Sequence, residues 1–291
     1  MPVDLCAVTA RLTAMAAIPL EDNFADILGK AQRGLRLSDA ELVRRAGVSP
    51  AELKAAQANE AVICKLAATL RLGADALLAS ANGTWRPKDS GPLDGFAAFT
   101  TPFGDMTVNA YLVFDPQTRQ AAAFDTGADA DPMLQLIRDQ KLKLELILLT
   151  HTHTDHVYEL DRLKHDTGAA AWVSEREPLA GAESFADAKV FTVGRLKIET
   201  RRTSGHARGG TTFVVTGLAR RLAVVGDALF AGSMGGGMVS YDEALRTNRA
   251  SIFTLPDDTV ICPGHGPLST VGEEKSHNPF FPEFQQQAAQ Q

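Results

Sequence analysis

Between residues 150 and 156 the chain reads THTHTDH, three imidazoles and a carboxylate in a run too polar to be buried without a task. Neutral imidazole nitrogens and carboxylate oxygens are donors that suit zinc first, and iron or manganese as well. On an extended backbone His151 and His153 point to the same side and can converge on one point, while Asp155 and His156 fall where the chain turns and can serve another. Two ligand pairs predict two divalent metal ions. Further donors are expected in the same setting. His206 in TSGHARGG lies between two β-rich runs, Asp227 ends RLAVVGD, and His265 sits in ICPGHGP just after a short apolar run. His277 and His165 are left over, and His165, near a predicted helix C-terminus, reads as a surface residue. Cys262, three residues ahead of His265, reads as a small core residue of the strand VIC rather than a nucleophile or ligand.

The elements that must place these residues follow from patterning. LELILLT is apolar at nearly every position, as in a strand buried on both faces, so the histidine motif starts at that strand's C-terminal end. FAAFTTPF, NAYLVF, QAAAFDTG, AAWVS, KIETRR, TTFVVTG and RLAVVGD read as further strands, with helices at DPMLQLIRDQ and YDEALRTNRASIF. Hairpin-like neighbours and strand–helix–strand units together predict an α/β layered fold with mixed sheets.

Residues 23–81 differ, being rich in Ala, Leu, Arg and Glu, which predicts short helices. Ser38 can cap SDAELVRRA with Glu41 at the capping-box position, Gly47 ends it, and Ser49-Pro50 open SPAELKAAQANE; VICKLAATLRL follows. This stretch resembles the small helical domains of the Cro and C1 repressor type. The polar segment NGTWRPKDSGPLDG reads as a linker. The expected division is a helical, helix-turn-helix-like domain at 1–85, a linker at 86–94 and a metal-binding domain at 95–291, with a chain cut near Ser90 expected to fold alone.

HTHTDH, GH at 205–206, GD at 226–227 and GHG at 264–266, with DTG at 125–127 ahead of them, resemble the ordered motifs of the metallo-β-lactamase superfamily, and GDALFAGS is most similar to its glyoxalase-II-like hydrolases. The resemblance implies an αββα sandwich. It implies one metal on His151, His153 and His206, a second on Asp155, His156 and His265, and Asp227 as the bridge. Asp155 and Asp227 are then the catalytic carboxylates. It also places Asp125 beside the metals, orienting backbone or an imidazole, whereas an Asx turn before Gly127 is the local alternative.

The chemistry implied is attack by a metal-bridging hydroxide on a carbonyl of a small ester, thioester or lactone. A thiolate leaves without a proton donor, which favours a thioesterase of the hydroxyacylglutathione hydrolase type over a lactonase or β-lactamase. A one-iron persulfide dioxygenase would not need the second ligand set. After His265 the only Lys or Arg is Lys275, and GSMGGGMVSY lacks the arginine of the family's GRTD-like segment. A charged glutathione tail is therefore expected to meet few cations in this domain, giving a high KM.

Composition narrows the partners. The formal net charge is −6, and residues 1–90 carry eleven Lys and Arg against ten Asp and Glu. The helices raise an alternative function, a DNA-binding regulator with a metallo-hydrolase sensor domain, but that balance disfavours DNA as a partner and favours a dimerisation or lid role, so a homo-oligomer is expected. Three scattered cysteines without CxxC spacing read as reduced, mostly buried thiols. No export signal or membrane span is read, and a cytoplasmic location is expected.

Overall fold

The computed structural model describes residues 18–288. Cys6, the alanine-rich start and the last three residues of the QQQAAQQ tail lie outside them, and the tail's first four residues are helical rather than frayed. Five helices come first: α1 (Phe24–Gly34), α2 (Asp39–Ala46), α3 (Pro50–Lys54), α4 (Glu60–Leu70) and α5 (Ala74–Asn82). Gly47 closes α2 in the left-handed conformation at φ 63°, and Pro50 opens α3. Full capping boxes form at Asn23 with Asp26 and at Ser49 with Glu52, whereas Glu41, expected to complete one on α2, turns to Arg45. SPAELKAAQANE is not one helix. It breaks after Lys54 into a 3-10 turn, because Asn59 caps α4 by accepting from the Val62 N–H at 3.3 Å.

The first sheet runs in sequence order: β1 (Phe96–Phe103), β2 (Met106–Phe114), β3 (Gln120–Phe124), β4 (Lys143–Leu148), β5 (Ala170–Ser174) and β6 (Glu183–Phe185). Helix α6 (Asp131–Asp139) joins β3 to β4, and α7 (Thr154–Val157) and α8 (Leu160–Thr167) join β4 to β5. The second sheet holds β7 (Val190–Val193), β8 (Leu196–Arg202), β9 (Thr211–Thr216), β10 (Leu222–Gly226), β11 (Val260–Pro263) and β12 (Ser269–Thr270). Helix α9 (Tyr241–Ser251) follows β10, and α10 (Val271–His277) and α11 (Pro282–Ala288) follow β12. Both sheets are mixed, with β3–β4–β5–β6 parallel in one and β10–β11 parallel in the other.

Side-chain alternation sorts residues among three cores. In β2, Tyr111 and Val113 face the space between the sheets, while Ala110 and Leu112 face α6 and α8. In β10, Leu222 and Val224 face between the sheets, while Ala223 and Val225 face outward. The result is helix, sheet, sheet, helix. That outward face is covered by α9, by Phe280 and Phe281, and by Ile27, Leu42, Leu66 and Leu77 of α1–α5, all in one apolar cluster. The helical region therefore shares its core with the second sheet. Contacts extend this union: Gly73 N–H donates to the Pro279 carbonyl at 2.7 Å, and His277 stacks on Trp85 at 4.9 Å between centroids.

Candidate metal centre

The expected donors gather where strands end. His151 and His153 follow β4, Asp155 and His156 lie in the single turn of α7, His206 lies between β8 and β9, Asp227 follows β10, and His265 follows β11. They form two groups, His151, His153, His206 and Asp227 in one and Asp155, His156 and His265 in the other, with donor atoms within 4.8 Å of one another in each. Asp227 reaches both. Its Oδ1 is 3.2 Å from His156 Nε2, and its Oδ2 is 3.4 Å from the Nε2 atoms of His206 and His265 and 3.9 Å from that of His151. Asp155 Oδ2 lies 3.3 Å from both His156 Nε2 and His265 Nε2. His153 Nδ1 faces His206 Nε2 at 3.1 Å. His165 stays apart, with its side chain 87% exposed.

Surrounding groups aim the rings. Asp125 accepts from Thr150 N–H at 2.7 Å, from the Thr150 hydroxyl at 2.8 Å and from His156 Nδ1 at 2.8 Å. With its proton given to Asp125, Thr150 Oγ1 is left to accept from His151 Nδ1 at 3.0 Å. Of the two readings of Asp125, orientation of backbone and imidazole is the one seen. The Gly236 carbonyl accepts from His206 Nδ1 at 3.0 Å, and the Thr107 carbonyl accepts from His265 Nδ1 at 2.6 Å. These bonds put protons on Nδ1 and leave the Nε2 lone pairs of four rings turned toward the two groups.

Loop backbones are pinned as well. Asn109 Nδ2 donates to the Pro263 and Gly266 carbonyls at 3.0 and 2.8 Å, and Tyr111 donates to Pro263 at 2.6 Å, fixing the His265 turn. Glu177 accepts from Thr152 N–H at 3.1 Å and Gly209 N–H at 2.7 Å, linking the two histidine loops. The chain ahead of α1 also reaches the site, since a Cβ on Gly266 would lie 3.1 Å from Glu21 N. Thr150, Asn109, Tyr111, Glu177 and Glu21 escaped sequence reasoning, because nothing in their local sequence marks partners so distant in the chain.

The site's chemistry fits cations. His151 Nε2, His156 Nε2 and Asp227 Oδ1 are buried without a hydrogen-bond partner, an arrangement that is costly unless a cation answers them. Burial opposes a charge on His156, but Asp227 and Asp125 raise its affinity for a proton to about 10, so the carboxylates favour positive charge at Nε2 whether a proton or a metal ion in its place carries it. His265 behaves alike, with burial outweighed by Asp155 and Asp227 to about 11, while burial and neighbouring imidazoles push His151 down. Gly264 supplies the room: a Cβ there would sit 2.1 Å from Asp227 Oδ1 and 2.6 Å from His156 Cε1. Gly235 and Gly237 have a packing reason too, since Cβ atoms there would lie 1.8 Å from the Asp227 carbonyl and 2.4 Å from Tyr241 Cα.

Cys262 is buried between the sheets as expected, and burial pushes its thiol up; Cys64, expected to be mostly buried, is exposed. No helix among the described residues is long and apolar enough to cross a membrane.

Known proteins share this plan. The hydroxyacylglutathione hydrolase GloC of Haemophilus influenzae is 28% identical over 198 residues, spanning 60% of this chain and 92% of that protein. The probable metallo-hydrolase YqgX of Bacillus subtilis is 29% identical over 209 residues, spanning 63% and 96%. The crystal structure of the BLEG-1 B3 metallo-beta-lactamase superposes with a TM-score of 0.55 at 25% identity, over 64% of this chain and 99% of that one. Residues 103–265, more than half the chain and the whole span of the donor groups, match one family, and on that match the chain belongs to the metallo-beta-lactamase superfamily.

Proposed function

We propose that the protein is a dinuclear-metal hydrolase acting on small thioesters, of the hydroxyacylglutathione hydrolase type. The observation that carries the reading is the placement of Asp227 within 3.4 Å of imidazoles from both donor groups. His151, His153 and His206 would hold one ion, Asp155, His156 and His265 the other, and Asp227 would be shared, with Asp155 and Asp227 the catalytic carboxylates. When bound, such ions supply Lewis acidity, lowering the pKa of solvent water toward neutrality and polarising an acyl carbonyl. Zinc is the first choice for these donors, with iron or manganese compatible.

The chain's own residues do the rest. Asp125, Thr150, Thr107 and Gly236 hold protons on the far nitrogens of four rings, so those rings present lone pairs without reorganising. Met238, 74% exposed, stands two residues beyond Gly236, whose carbonyl orients His206. With those imidazoles engaged at both ends, a leaving group that departs without a proton suits the site, and thiolate is such a group. The likeness to GloC supports the same choice.

A lactonase or β-lactamase is the second reading, favoured by the likeness to the B3 enzyme. Metal analysis joined to a panel of thioester, lactone and β-lactam substrates tests both. Two ions per chain and a kcat/KM for thioesters about tenfold or more above the others are expected. A reversed ranking would move the assignment to the second reading, and one tightly bound ion in active protein would count against the dinuclear site. For the helical region we propose a role at the metal site rather than on DNA, since α3 spans five residues and carries one lysine. Retention of genomic fragments in a low-salt mobility shift would reverse that choice.

A further inference from the structure

A cleft of about 990 Å³ lies between the helical region and the segment from Gly236 to Asp242. Its walls carry Lys30, Arg33, Arg36 and Arg71, all from the N-terminal helices, against the single carboxylate of Asp242. Lys30 is spoken for: it pairs with Asp22 and donates to the Met234 carbonyl at 2.9 Å. The three arginines are exposed and have no ion-pair partner among the described residues. In the hollow beyond Val239, by contrast, Arg176 and Arg202 are matched to Asp187 and Glu243, leaving one arginine, Arg208, without an ion-pair partner among the described residues.

Two of the three arginines also sit where an arginine is poorly suited. Arg36, just past α1, and Arg71, closing α4, have φ of 55° and 58°, the left-handed region that glycine adopts freely and a β-carbon resists. A β-carbon at such a position costs backbone strain that glycine would avoid, as it also does at Arg119 and Lys141. The cleft also touches the metal centre: Gly236 forms part of its wall, and the carbonyl of the same residue accepts from His206 Nδ1.

We infer that this cleft binds the anionic part of the substrate's leaving thiol, carboxylate or phosphate, through Arg33, Arg36 and Arg71, so that the helical region sets substrate specificity. The inference rests on the thioesterase reading and answers the sequence-based expectation that a charged tail would meet few cations, which was drawn from the metal-binding part alone. Guanidinium groups pair bidentately with either anion.

The test uses metal-loaded protein and two ligands without a free thiol, S-methylglutathione for carboxylates and desulfo-coenzyme A for phosphates, titrated calorimetrically. Alongside, kinetics compare S-lactoylglutathione and an acyl-coenzyme A with the uncharged S-lactoyl-N-acetylcysteamine. At least one analogue is expected to bind, and the better-bound one tells carboxylate from phosphate. Arg36→Gly and Arg71→Gly should each raise the KM for the matching anionic thioester about tenfold and leave kcat/KM for the uncharged one within about twofold. Because glycine suits both positions, their melting temperatures should hold or rise, which separates lost binding from lost folding. If the uncharged thioester is hydrolysed but neither analogue binds and the variants match wild type, the inference is overturned and the thioesterase reading stands. If no thioester is hydrolysed while an analogue binds and the variants lose it, the anion site stands and the thioesterase reading falls.

Discussion

At the residue scale, the donors were legible because histidines and aspartates beside glycine at strand ends have little structural use, and their order along the chain resembles one family's. The residues that aim them were not. Thr150 and Asn109 are ordinary in strands, and Asn109 acquires its task only when folding brings the Pro263 carbonyl, 154 residues away, to 3.0 Å. Asp125 lay between, visible as an acid before glycine but ambiguous until His156 and Thr150 were seen to share it. Removing it tests how much aim matters: Asp125→Ala is expected to weaken metal binding about 10- to 100-fold, measured by competition with a chromogenic chelator. Asp227→Ala, which removes the group reaching both donor sets, is expected to lose at least one of two ions by metal analysis, and nearly all hydrolysis.

At the scale of elements, strands with clean patterning were read well, including all of FAAFTTPF and AAWVS. The three-residue β6, with Glu183 and Ser184 exposed, carried too little alternation to be read, and the single helix expected over residues 49–60 broke because a second cap at Asn59 outcompeted continuity. Turn geometry gives a direct test: Gly264→Ala should force β11 and Asp227 apart and abolish hydrolysis, with far-ultraviolet circular dichroism unchanged. Helix α10 contributes a pH effect. Burial pushes the Glu274 carboxyl up to about 7 from an ordinary value of 4.5, and both its oxygens accept from Gly232 N–H after β10. The folded state then keeps a proton that the unfolded chain releases, so this group's contribution to stability should fall as pH rises from about 4.5 to about 7. Glu274→Gln should flatten that part of a stability-versus-pH curve measured by urea unfolding.

At the scale of the whole molecule, the composition break near residue 90 was legible, but a linker in sequence does not reveal whether the parts on either side share a core. Leu66 and Leu77 on one side and Ile261 and Phe281 on the other lie in one cluster, which no local pattern announces. A chain beginning near Ser90 is therefore expected to bare that face and to aggregate or bind a hydrophobic dye, contrary to independent folding, and Leu66→Ala in the full chain should cost about 2–5 kcal/mol. The donor groups have a related consequence. Four come from the segment after the first sheet's β4 and three from the second sheet, so bound ions would act as cross-links between two layers, and occupancy would become a reporter of global integrity. By mass action, free ion at a hundredfold its Kd adds about 2.7 kcal/mol to the folded state, and stripping it with a chelator should lower the melting transition of both sheets together. Metal supply would then decide how long the molecule survives as well as how fast it works.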